Sequence, residues 1–294
     1  MFKLIINYFK SKIFYTDAKK FYLLKSLIIS NLELLENKNI GFLIEKGHLK
    51  GIEELTRCYI EACFNIIFII KEPELIEKRL KAYEYFIIKS RIDIPEIEEI
   101  INSNEEHLNN YFENRESNDN SEKDLKNFRE NIKKIINSDS YQNNKKELED
   151  LKYRDVKNEI NNIKSKNIKS KNIKYYQCFT NGEKISSLKE LTDYIGYKNY
   201  YILQYSQYSK KIHFVDPFEY ISDDSIKRDI IEISIDTIKE YLEKVVKLDL
   251  NTCYSDLLML KYHFSLSNKD VFEKVESDEN FKINYDIFLK KYMN

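Results

Sequence analysis

Along most of this 294-residue chain, apolar residues recur at three- and four-residue spacing, the period of a helix and not of a strand. The pattern predicts an amphipathic piece over about 3–14 and a helix around 17–36. A long helical pattern over 40–71 contains Gly47 and Gly51, where a break or kink is expected. Pro73 ends that pattern, because proline restricts the residue before it and is itself welcome in a first helical turn. A helix from about 74 to 90 follows, and Pro95 opens another reaching about 114.

Between 102 and 174 the pattern thins and Asn, Lys, Glu and Ser take over. Helical spacing survives in Leu125, Phe128, Ile132, Ile135 and Ile136, which predicts an exposed, charged helical hairpin inserted in the chain. Its last part, 162–174, repeats Asn-Ile-Lys-Ser-Lys with a period of five that fits neither a helix face nor a strand face. Five lysines without an acid make this a local basic patch able to touch phosphate, or a solvated linker. Order returns at Tyr175. Ser186 or Ser187 is placed to cap a short helix over Leu188–Ile195, with Glu190 completing a capping box and Gly196 in the left-handed position after it. A helix carrying Tyr201 to His213 then runs to Pro217. Asp223 or Asp224 is expected to cap a helix to about 248, Asn251 to start the next, and Ser267 and Asp278 to cap the last two. The expected organisation is an all-α multi-helix bundle whose halves, 1–101 and 175–294, flank the insertion at 102–174.

Composition agrees with that reading and narrows the function classes. Five glycines and three prolines are too few for the turns of an all-β or doubly wound fold. The net charge is −1 although 33% of residues are charged, so any nucleic-acid surface has to be local. Ile, Lys, Asn and Tyr are abundant and Trp is absent, the bias of a low-GC bacterial genome. Cys58, Cys63, Cys178 and Cys253 form no C-x-x-C pair and no zinc spacing, which suits a reduced cytoplasmic chain. The longest apolar run, 58–70, is interrupted by Glu61 and Asn65 and is shorter than the roughly 20 residues a membrane span needs, so no membrane association is expected.

Two polar stripes interrupt this apolar background. Arg57, Glu61 and Asn65 lie four apart in one helix; Tyr201, Tyr205, Ser209 and His213 lie four apart in another. Polar groups on a buried helix need partners, so the two stripes are expected to meet each other, a ligand or a second subunit.

These same residues carry a resemblance. Arg57-x-x-x-Glu61 followed by Pro73 and Arg79, and Ile185-Ser-Ser-Leu-Lys-Glu-Leu-Thr-Asp-Tyr-Ile-Gly196 leading into Tyr201-x-x-x-Tyr205-x-x-x-Ser209-x-x-x-His213 and Pro217, resemble a bacterial all-helical domain of unknown function. The likeness covers roughly 40–100 and 175–250. A tryptophan often precedes the short helix in that family, and Phe179 stands nearest that place here. The resemblance implies a helical fold and no particular reaction.

The chemistry of the stripes suits metal-independent RNA cleavage. His213 exchanges protons near neutral pH, Arg57 can hold two phosphate oxygens, and Tyr205 and Ser209 can donate to a developing oxyanion while Glu61 orients a neighbour. Tyr201 and Asn65 would contact substrate. The HEPN-type helical ribonucleases of bacterial toxins and phage-defence effectors offer an analogy, although their R-x4–6-H signature is absent here. A Ser209 nucleophile lacks an elbow or oxyanion loop. A metal site from His213, His263 and Glu61 lacks a histidine pair at ligand spacing, and Gly182 and Gly196 form no phosphate loop. Neither metal nor cofactor is therefore expected. His48 and His107 read as surface residues and His263 as a helix-interface residue. Tyr200, Tyr201, Tyr205 and Tyr208 raise the question of a base-stacking platform. The rival reading is a non-catalytic interaction module: the polar set forms a structural network, 102–174 binds a protein partner, and the apolar faces support a homodimer.

Overall fold

A computed structural model describes residues 2–13, 21–35, 40–45, 52–92, 127, 130–131, 134–166, 173–212, 222–247, 256–260, 263 and 279–293. Among the described residues there is no strand, and the protein is an all-α multi-helix bundle. His213, Pro217, Pro95, Gly47, Gly51, His48, His107, Leu125, Phe128, Ile132, Asn251, Ser267 and Asp278 lie outside the described residues. The chain divides into two compact units, one formed by 1–80 with 180–294 and the other by 81–179.

The first unit is organised around one helix. Its N-terminal helices are α1 (Lys3–Ile13), α2 (Tyr22–Glu33), α3 (Ile40–Glu45) and α4 (Ile52–Ile70). The expected break in the 40–71 pattern is present, since α3 stops at Glu45 and α4 starts at Ile52. Helix α4 packs against α2, α3 and two C-terminal helices, α10 (Ser206–Ile212) and α11 (Asp223–Tyr241). That environment explains why Ile66 to Ile70 are all buried, as a helix apolar all round requires. Pro73 opens a single 3-10 turn that leads into α5 (Ile76–Ile92), where its missing N–H costs no helical hydrogen bond.

The short helix α8 (Leu188–Tyr194) begins as its sequence demands. Ser187 Oγ accepts from Glu190 N at 3.2 Å. Glu190 reaches back one residue further than a capping box would, accepting from both the backbone N and Oγ of Ser186. Gly196 ends the turn at φ +88°, a conformation open to glycine. The next helical run combines α9 (Lys198–Tyr200), a π-turn segment (Tyr201–Tyr205) and α10. The cap of α11 differs from expectation: Ser222, with extended backbone, accepts from Ser225 N at 3.2 Å through its Oγ. Asp223 and Asp224 thus fall inside the first turn, where acidic side chains suit the positive end of the helix dipole. The last helix, α12 (Glu279–Met293), packs on α1.

The second unit contains α6 (Asp139–Leu148) and α7 (Arg154–Lys166), joined by a 3-10 turn whose Asp150 side chain accepts from Lys152 N. Its core gathers Ala82, Val156, Ile160 and Cys178, with Ile163, Ile173 and Phe179 packed on them. Two isoleucines of the five-residue repeat therefore reach one core, because Ile163 is helical and Ile173 is not, so no single period has to place both. Phe179 adopts φ +57°. Left-handed backbone costs a non-glycine residue about 1–2 kcal/mol, and burial of the phenyl ring against this core offsets it.

Candidate functional site

The first stripe lies on the one flank of α4 that packing leaves partly open. Arg57, Glu61 and Asn65 are all half-buried, whereas Tyr59, Ile60, Cys63 and Phe64 between them are buried. The stripe is thus a helix edge and not a buried seam. The second stripe starts in the π-turn segment, where i→i+5 bonding accommodates one extra residue per turn.

Three of the residues singled out by spacing meet. Arg57 Nε donates to Glu61 Oε1 at 2.8 Å and to the Tyr205 hydroxyl at 3.0 Å. Tyr205 in turn donates to Glu61 Oε1 in a short hydrogen bond. Every one of these bonds of Arg57 uses Nε, and Nη1 and Nη2 have no hydrogen-bond partner among the described residues. The Arg57 and Glu61 side chains are 28% and 33% exposed. Burial alone would lower the Arg57 pKa, but the bonds to Glu61 and Tyr205 more than reverse it. Burial, reinforced by the bond to Glu61, pushes the Tyr205 hydroxyl well above its ordinary range. Tyr205 is therefore a neutral donor committed to Glu61, and its hydroxyl is not turned toward an incoming oxyanion.

Around this triad, the Tyr205 ring packs on Phe64 at 6.1 Å and is stacked with Tyr201 at 5.1 Å and 23° between planes. Tyr201 and Ser209 are half-buried. Asn65 shares the half-buried flank of α4 with Arg57 and Glu61. Because His213 lies outside the described residues, the group at the centre of the acid–base expectation has no described position.

A second Arg–Glu–Tyr triad has the opposite character. Arg79 is fully buried, donates from Nη1 to the Phe68 carbonyl at 2.6 Å and from Nη2 to the Tyr194 hydroxyl at 2.8 Å, and pairs with Glu72. Tyr194 donates to Glu72 Oε1 at 3.1 Å, and the guanidinium lies 4.3 Å from the Phe68 ring centroid. Both Arg79 amino groups are spent on the protein. This triad locks the corner between α4 and α5 to α8.

Sequence spacing missed two further clusters. Tyr59 and Cys63 point the other way on α4: the Tyr59 hydroxyl shares a 2.6 Å hydrogen bond with Ser234 Oγ, and Asn31 Nδ2 donates to Cys63 Sγ at 3.3 Å. Burial pushes the Cys63 thiol up to about 11. Asp229, 3% exposed, accepts from Tyr208 at its carboxylate (2.8 Å) and from Tyr200 at its carbonyl (2.6 Å), while Oδ1 has no partner. Burial raises its pKa, and the Tyr208 bond opposes the rise. A signal for Asp229 did exist, since it stands three residues after Ile226 and four before Ile233 on an apolar helix face. Hydroxyl directions of Tyr59, Tyr200 and Tyr208 left none.

Among the described residues, no group of His, Cys, Asp and Glu is arranged to hold a metal ion, and no helix is long and apolar enough to cross a membrane. Set against protein-family models, curated proteins and solved structures, the chain matches none of them.

Proposed function

We propose that the protein is an RNA- or nucleotide-directed effector of the toxin or phage-defence kind, with Arg57 as its phosphate clamp and His213 as its acid–base group. The contrast between the two triads carries this reading. Arg79 spends both amino groups on the fold, whereas Arg57 is fixed through Nε alone and keeps two donors for a ligand. Fixing a guanidinium by its inner nitrogen lowers the entropy lost when the outer two bind, and two parallel donors match two oxygens of a phosphate. In the proposed reaction His213 removes the proton of a ribose 2′-hydroxyl, the 2′-oxygen bonds to phosphorus, and the 5′-oxygen leaves with a proton. Arg57 neutralises the charge that grows on the phosphoryl oxygens. Glu61 and Tyr205 act as positioning residues for Arg57.

The mutual contacts of Arg57, Glu61 and Tyr205 favour one other reading, a non-catalytic interaction module in which this network is structural and the α6–α7 hairpin receives a protein partner. Growth of bacteria expressing wild type, Arg57→Ala and His213→Ala separates the two, with soluble protein and total RNA measured alongside. Toxicity and RNA fragmentation lost in both soluble variants is the expected result. A harmless wild type with insoluble variants would reject the effector and favour the module.

A further inference from the structure

We infer that Tyr201 and Arg57 form a two-point site for an unpaired nucleotide of a single strand, its base stacked on Tyr201 and its adjoining phosphate held by Arg57; this rests on the reading of Arg57 as a phosphate clamp. The Tyr201–Tyr205 pair is the starting observation. Buried aromatic pairs elsewhere in the protein meet edge-on, such as Phe64–Tyr200 at 90° and Tyr83–Tyr175 at 89°. Tyr201 and Tyr205 instead lie nearly parallel, 5.1 Å apart. The inner ring is immobilised twice, by its hydroxyl between Glu61 and Arg57 and by its face against Phe64. The outer ring, Tyr201, is half-buried and its hydroxyl has no partner among the described residues. It is therefore an aromatic surface backed by a rigid second ring, with nothing in the fold using its hydroxyl.

Two neighbouring features fit a nucleotide better than a bare anion. Ile202 and Leu203, on the same π-turn segment, are 47% and 65% exposed and offer an apolar shoulder beside the ring. Glu61, the acid nearest the clamp, already accepts from Arg57 and Tyr205, which diminishes its repulsion of a phosphate. A π-face reads any base alike, so the site is tolerant of sequence, but it needs a base that is not already paired and stacked in a duplex. The chemistry is a stacked base joined to a phosphate, and the proposed source is a strand and not a free nucleotide.

The chain has no tryptophan, so Tyr201→Trp introduces a single fluorescent reporter on the outer ring. The test measures binding of the full chain to a labelled oligouridylate strand, to its duplex with oligoadenylate, to an abasic strand of equal length, and to uridine 5′-monophosphate. Tyr201→Ala is expected to weaken strand binding about 5- to 140-fold, which corresponds to the roughly 1–3 kcal/mol of one base–aromatic stack. Tyr201→Phe, which keeps the ring, should bind like wild type, and the Trp variant should be quenched by the strand but not by the abasic one. Arg57→Gln should weaken both. Unchanged binding by Tyr201→Ala, with Arg57→Gln still weakened, would overturn the stack and leave the clamp standing. An inert Arg57→Gln with a weakened Tyr201→Ala would overturn the clamp and with it the two-point site. Preference for the duplex or the mononucleotide, or no binding to any of the four, would overturn the inference outright.

Discussion

The two Arg–Glu–Tyr triads make a matched pair, and substituting each arginine by methionine should give very different losses. In Arg79→Met the Phe68 carbonyl and the Tyr194 hydroxyl each lose a charged donor, and Glu72 keeps only the Tyr194 bond. Arg79 is 0% exposed, and stranding one partner of a buried pair costs about 3–5 kcal/mol. In Arg57→Met the lost ion pair joins side chains that are about a third exposed. Solvent screening limits such a pair to about 0.2–1 kcal/mol. At about 2 °C per kcal/mol for a chain of this order, the melting point should drop by about 6–10 °C for Arg79→Met and by about 2 °C or less for Arg57→Met. Thermal melts followed by helical circular dichroism, repeated in urea, measure both. Adding Glu72→Gln to Arg79→Met should recover part of the loss, because the stranded charge is then gone. Equal losses, or a larger one for Arg57→Met, would refute the reasoning: Arg57 would then be part of the scaffold, and the proposed clamp would lose its basis.

Other expectations follow from single contacts. Asp229 has its carboxyl raised above the ordinary value of 3.8 by burial, so as pH rises from there through the raised value the unfolded chain gives up its proton first and the fold loses stability. Denaturation midpoints of Asp229→Asn, which has no proton to lose, should therefore gain on wild type between pH 4 and the raised value and hold a constant margin above it. Ser234→Ala should cost about 1–2 kcal/mol by depriving the buried Tyr59 hydroxyl of its partner, and adding Tyr59→Phe should cost less than the sum of the two single changes in a double-mutant cycle. A Cβ at Gly196 meets nothing within 4 Å, so Gly196→Ala should cost only the left-handed backbone term, about 1–2 kcal/mol in urea titration. Ser187→Ala should lose about 1 kcal/mol through the cap of α8.

Local rules carried the reading of the fold wherever one residue type has one job. Pro73 and Gly196 marked helix ends because their backbone chemistry permits little else, and Ser187 was identifiable from the Glu190 that follows it. The cap of α11 was misplaced by one residue because Ser222, Asp223 and Asp224 are all good caps, and only backbone direction chooses among them. At the candidate site, i,i+4 spacing identified Arg57, Glu61 and Tyr205 as neighbours-to-be, since polar residues on an apolar helix stand out. It did not reveal that the stripe is half-open, because exposure depends on which helices cover α4. Nor did it single out Asp229, whose partners Tyr200 and Tyr208 come from another helix and look like ordinary core aromatics.

The π-turn segment between Tyr201 and Tyr205 also sets a phase. It behaves as a one-residue insertion absorbed inside a helix, so the parts before and after it are rotated relative to each other by a step no α-helix would contain. Deleting one residue there, such as Ile202, would let the run close into plain α-helix and turn everything downstream by about 100°, the angle per residue at 3.6 residues per turn. Tyr208 would then swing off Asp229, and the remainder of the stripe would leave the side that faces α4. Relatives with one residue fewer at this point could keep every side chain of the candidate site in order along the chain and still be unable to bring them together.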